Sequence, residues 1–197
     1  MPKPILRICL PAFCCLICLM CLTLPAQADT AADDNIKVNV QKNGDTVVID
    51  LAMTMPATQQ EVWDVFTDFD HMTQFLHNLE TSKVLEKNGE QWKVEQKGQT
   101  SHSGFSFSFE STKQITLKPY ESVQSHLLSG TLKKHESLTS FSPMGDGTRV
   151  TYHAESISGV WVPAFLGTSV VESEVHKQFQ DMENEVLKRK AAHTAAR

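Results

Sequence analysis

Eight histidines and a dense patch of carboxylates are the residues best suited to chemistry, so their spacing is the first question. His71 and His77 stand six apart and His153 precedes Glu155 by two, while His102, His126, His135, His176 and His193 are scattered. None forms the i, i+4 pair of His-Glu-x-x-His or a Cys/His ligand set, so no metal site is predicted. Asp64, Asp68 and Asp70 beside His71 could support acid–base work, but near the end of a short helix they read as capping and solvent-facing groups. Gly145-Asp146-Gly147 is turn chemistry, with no following helix to cradle a phosphate. Neither a Gly-x-Ser-x-Gly elbow nor a dinucleotide fingerprint occurs, and no cofactor is implied.

The second group is aromatic. Phe105, Phe107 and Phe109 alternate with Ser106, Ser108 and Glu110, so three phenylalanines share one strand face. Trp92, Val94, Gln96, Leu127, Phe141 and Tyr152 fall on neighbouring inner faces, opposite a helix bearing Phe165 and Phe179. Such a face can enclose an apolar pocket carrying a few polar groups. Periodicity alone favours an ordinary core. Gln96 needs a partner if buried, because an unpaired amide costs about 1–3 kcal/mol. That partner is either a ligand oxygen or neighbouring backbone, and Ser111 and Ser125 pose the same alternative.

The elements that must position these residues can be read from periodicity. Val38 and Val40, then Val47, Ile49, Leu51, Met53 and Met55 after Asn43-Gly44, predict a hairpin with one buried face. Thr58 and Glu61 form a capping box ahead of a helix carrying Val62, Trp63, Val65 and Phe66, and a second short helix is expected around His71 to Leu76. Strands follow at 81–86 and 91–98, from 104 to 117, and at 121–128, 132–142 and 148–157. From about Pro163, a stripe of Val171, Val175, Phe179, Met182 and Val186 predicts a long amphipathic helix. The order is that of an α+β domain.

At the other end, Lys3 and Arg7 precede an uncharged run from Ile8 to Leu24 that ends in Pro25-Ala26-Gln27-Ala28. This is the layout of a secretory signal, and cleavage is expected between Ala28 and Asp29. All five cysteines lie within residues 9–21, so the cleaved product has none; its net charge goes from −5 to −7 because Lys3 and Arg7 leave with the segment. Thiol catalysis and cysteine-based zinc sites are thereby excluded from it. The acidic balance argues against a nucleic-acid partner that works by neutralising phosphates. Export to a periplasm is the expected address. The reading divides the chain into a signal peptide at 1–28, a flexible stretch at 29–35, a domain at 36–190 and a disordered tail at 191–197.

Met55-Pro56-Ala57 through Glu61-Val62-Trp63-Asp64-Val65-Phe66-Thr67-Asp68-Phe69, then Phe75 to Leu79 and Ser82 to Leu85, resemble the opening of START-like proteins. Gly130 to Pro143 followed by Gly147 to Tyr152 resemble a later strand pair of the same group, the polyketide cyclase/dehydrase and coenzyme Q-binding branch of the SRPBCC superfamily. The resemblance implies a helix-grip fold: a curved antiparallel sheet of about six or seven strands around a long C-terminal helix, two short helices after the first strand, and a hydrophobic cavity between sheet and helix. Members bind lipids, quinones, sterols or polyketides, and a minority catalyse cyclisation or dehydration. Thr139 departs from the tryptophan that relatives often carry there. Three functions follow as expectations: a carrier for a hydrophobic small molecule, an enzyme using Tyr152 or His135 as acid or base in the same cavity, or an interaction module with a closed core. Transient membrane contact and oligomeric state are left open.

Overall fold

A computed structural model describes residues 35–102, 105–158 and 167–196. Two strands, β1 (Lys37–Asn43) and β2 (Thr46–Met55), lead into helix α1 (Gln59–Phe66) and a short 3-10 helix, Phe69–Gln74. Six strands follow: β3 (Leu79–Asn88), β4 (Gln91–His102), β5 (Phe105–Lys118), β6 (Ser122–Gly130), β7 (Leu132–Met144) and β8 (Gly147–Ser158). Helix α2, Gly167–Ala195, closes the chain. It stays helical through 191–195, where the sequence reading places a tail. The expected signal segment lies outside the described residues.

All eight strands join one antiparallel sheet in the order β1-β2-β8-β7-β6-β5-β4-β3, rather than the six or seven expected. The periodicity of the sequence places all eight; the smaller count is what the family resemblance implies, and β1 is the weaker half of the predicted hairpin, with only Val38 and Val40 half-buried. β1 and β2, and consecutive strands from β3 to β8, pair through hairpins; β2 also pairs with β8, the last strand of the chain. At two of the turns, Gly44 and Gly89 follow asparagine with φ of 61° and 56°, the conformation a tight hairpin requires and an L side chain resists.

Helix α1 begins as its sequence dictates: the Glu61 carboxylate accepts from the Thr58 backbone N–H at 2.8 Å, and the Thr58 hydroxyl accepts from the Glu61 N–H at 3.3 Å. Its Val62, Val65 and Phe66 pack with Leu51, Met53 and Met55 of β2. Across from them, α2 buries Phe179, Met182 and Val186, the lower part of its predicted stripe; Val171 and Val175 nearer its start are half-buried. Apolar packing thus fills one end of the grip.

Polar contacts pin α2 at three heights. Thr100 of β4 donates to Glu174 at 2.6 Å, and the ring of His77 meets Asp181 at 2.5 Å. Nearer the C-terminus, Arg189 donates to Asp68 at 2.8 Å and to Glu185 at 2.9 Å, while Lys190 reaches the Pro56 carbonyl. Asp68 is therefore tied to α2 as well as to His71 at 2.6 Å. Asp70 accepts from the Val84 N–H at 2.8 Å, beside the irregularity in the β3–β4 ladder. Both aspartates serve the architecture.

Candidate functional site in the grip

The inner face of the sheet changes character along the strands. At the end covered by α1 and the 3-10 helix, Val94, Ile115, Leu117, Phe141 and Val150 belong to the packed core, and Trp92 packs against it half-buried. Phe141 stands edge-on to Phe66 at 5.2 Å and to Trp63 at 5.9 Å, and Trp92 packs edge-on to Phe69 at 6.1 Å. These are floor residues. Phe179 joins them from α2, where its ring lies 5.2 Å from Tyr152.

One or two residues further along each strand, polar side chains take over. Strand alternation brings Gln96 from β4, Lys113 from β5, Ser125 from β6, His135 and Ser137 from β7 and Tyr152 from β8 onto the inner face. Ser125 sits opposite Ser137, and Thr139 opposite Tyr152. Beyond them Phe107, Phe109 and Leu127 continue the face, each half-buried. Phe165 and the side chain of Phe105 lie outside the described residues.

Gln96 finds side-chain partners instead of backbone. Its amide N–H donates to Ser82 at 3.2 Å and approaches the Met72 sulfur at 3.5 Å, and its oxygen accepts from the Lys113 ammonium at 3.4 Å. That contact is the hydrogen bond Lys113 makes; no carboxylate of the described residues pairs with it. Among the described residues the Ser125 hydroxyl is buried without a hydrogen-bond partner, and Ser111 is half-buried. His135 Nδ1 and Ser156 Oγ share a hydrogen bond of 2.8 Å.

Burial sets the charge states. It pushes Lys113 down to about 8, which leaves the amine mostly protonated at neutral pH. His135 falls to about 4, first through burial and then through the nearby Lys113 charge, and is a neutral imidazole. Tyr152 is pushed up to about 12 by burial against the opposing pull of its hydrogen bond with Ser137. Yet Lys113, His135 and Tyr152 all keep accessible surface.

Sequence reasoning missed Lys113, although the signal was there: Phe107, Phe109, Ser111, Lys113, Ile115 and Leu117 follow one period of two. It also missed Glu174, whose carboxyl is held below the ordinary range; burial opposes this, and hydrogen bonds from Thr100, Lys177 and His77 outweigh it. Of the remaining histidines, two serve surface pairs, His153 with Asp50 at 2.7 Å and His126 with Glu136. Among the described residues, no group of three His, Cys, Asp or Glu is placed to hold a metal ion. A groove of about 380 Å³ on the opposite, convex face runs past Lys37, Asp50, Leu138 and His153, outside the grip.

An eight-stranded antiparallel sheet closed by one long C-terminal helix defines a START-like, helix-grip protein. Residues 55–183 match the family described as polyketide cyclase / dehydrase and lipid transport, and the chain belongs to that family. Among solved structures, a Thermus thermophilus protein superposes with a TM-score of 0.63 at 16% identity, covering 72% of this chain and 98% of its own. The Zhui aromatase/cyclase from a Streptomyces species gives 0.61 at 13% identity, over 73% of this chain and 95% of its own. A STAR-related lipid transfer protein from Xanthomonas axonopodis gives 0.61 at 12% identity, over 78% and 99%. At these identities the likeness is one of fold. No curated protein sequence matches.

Proposed function

We propose that this is an exported binding protein that holds a hydrophobic small molecule, of lipid, quinone or polyketide-like character, between the sheet and α2. The observation that carries the reading is the inner face past the core floor, where Phe107, Phe109, Leu127, Lys113, His135 and Tyr152 keep surface that the packing does not consume. An apolar ligand in water gains about 0.8 kcal/mol for each CH₂ it buries, so such a face needs no reactive group to be useful. Family membership agrees with hydrophobic-ligand binding or lipid transport. Export rests on the run ending at Ala28.

A cyclase- or dehydratase-type enzyme is the second reading, favoured by the presence of His135 and Tyr152 on the same face. Their titration works against it. A tyrosine pushed up to about 12 and a histidine lowered to about 4 both sit far from the neutral range in which a general acid or base is most effective. The test is native mass spectrometry of the protein purified from its own host, with extraction and identification of whatever co-purifies. A bound apolar compound, released unchanged on denaturation, is expected. A preparation that carries none and binds no fluorescent fatty acid would overturn the reading.

A further inference from the structure

Lys113 and Ser125 are two polar groups on the inner face that the protein itself leaves unsatisfied. The Lys113 ammonium has three donors and one long contact, 3.4 Å to the Gln96 oxygen. A half-buried cation on an inner sheet face normally has a carboxylate beside it, since a partly desolvated charge is costly to leave unpaired. Here the carboxylates are engaged elsewhere: Glu174 of α2 faces Thr100, Lys177 and His77. The Ser125 hydroxyl is an independent case, in a residue only 7% exposed and without a hydrogen-bond partner among the described residues. Ser125 pairs with Ile115 across the β5–β6 ladder while Lys113 pairs with Leu127, so the two are diagonal neighbours on one face, roughly 7–8 Å apart at the backbone. A long lysine side chain and a hydroxyl at that spacing can converge on one group.

We propose that the ligand of the grip carries a carboxylate head, seated between the Lys113 ammonium and the Ser125 hydroxyl at the polar floor, with its apolar chain running along Phe107, Phe109 and Leu127. This deepens the binding reading and rests on it. Charge counting selects the head: among the described residues Lys113 is the one cation on this part of the face, and His135 and Tyr152 are neutral neighbours. A singly charged carboxylate balances it. A phosphate monoester would leave negative charge unmatched in a low-dielectric site. Two acceptor oxygens also suit two donors from different strands.

The test uses the protein as its host makes it, stripped of co-purifying lipid, and titrates dodecanoic acid, dodecanol, methyl dodecanoate and dodecyl phosphate by calorimetry. The acid is expected to bind at least roughly tenfold more tightly than the alcohol and the ester, the return of a charge-assisted hydrogen bond. Lys113→Met should erase that preference while retaining alcohol binding, and Ser125→Ala should reduce it by a smaller factor. Far-ultraviolet circular dichroism of each variant confirms that the fold persists. Equal binding of acid, alcohol and ester would overturn the carboxylate head and leave the binding reading standing. So would tighter binding of dodecyl phosphate, or a Lys113→Met protein that keeps its preference for the acid. Binding of none of the four by a protein from which nothing co-purified would overturn both.

Discussion

Phe107 separates a pocket wall from a core residue most directly, because its strand neighbours provide the control. Phe107 is half-buried on the inner face and Ser108 is exposed on the outer one. Truncating a fully packed phenylalanine to alanine costs about 3–5 kcal/mol. Because part of Phe107 already lacks protein contacts, Phe107→Ala should cost less than that and change affinity for apolar probes, while Ser108→Glu should be nearly silent. Thermal melts of the ligand-free protein and fluorescent fatty-acid titrations measure both quantities. A loss in the full core range with unchanged probe binding would place Phe107 in the core. Gly98, two residues beyond Gln96, makes a contrasting prediction. A Cβ there would stand 2.0 Å from the Asn78 carbonyl oxygen and 2.7 Å from Phe109 Cζ. The carbonyl cannot retreat freely, because it accepts from the Gln99 N–H at 3.1 Å. Gly98→Ala should therefore lose at least about 1–3 kcal/mol, read as a lower melting temperature. The close approach was invisible in sequence, since a lone glycine in a strand does not say which backbone it meets. Lys113 was legible by alternation, but its isolation depends on where every carboxylate of the fold ends up.

At the scale of elements, local signals were the readable ones. The Thr58–Glu61 capping box, the Asn-Gly hairpins and the apolar stripe of α2 each depend on residues a few positions apart, and each stands where the sequence put it. What α2 rests on was not readable, because Asp68 and Arg189 meet across 121 positions of chain. Glu185 is nearly buried on the face of α2 that bears Met182 and Val186, a position that amphipathic spacing assigns to an apolar residue. Burial by itself would raise the Glu185 carboxyl; hydrogen bonds from Arg189 and Lys188 outweigh it and hold the group below its ordinary 4.5. Asp68 behaves alike, with burial opposed by His71 and Arg189, below its ordinary 3.8. A carboxyl whose folded pKa is depressed contributes stability that is fully present above its unfolded value and disappears as pH falls through the folded one. The melting temperature should thus be insensitive to these groups from pH 7 to about 5.5 and fall once acid passes the unfolded carboxylate range near 4. Arg189→Met should lower stability at pH 7 by about 1–3 kcal/mol, because it strips partners from two partly buried carboxylates. It should also flatten the acid limb of the stability curve. An unaltered acid limb in that variant would show that Arg189 does not hold these groups down.

At the scale of the whole molecule, the sheet order could not be read in advance. The pairing of β2 with β8 joins residues about a hundred positions apart, and nothing in either strand names the other. What the whole chain does carry is an asymmetry of cysteine. All five precede Pro25, and the domain that forms the grip has none, so the path taken by the first residues decides the thiol chemistry of the product. If cleavage falls between Ala28 and Asp29, the purified protein should show the intact mass of residues 29–197 and take up no maleimide under denaturing conditions. Its melting temperature should not change with reductant, because no disulfide contributes to the stability of a domain held by packing alone. A retained segment would behave oppositely, with up to five thiols or their disulfides reporting on it and the protein partitioning with membranes. Mass, maleimide uptake and fractionation therefore give the same answer by independent routes. A product that begins at Met1 and sediments with membranes would replace the freely carried ligand of the binding reading with one held at a membrane surface.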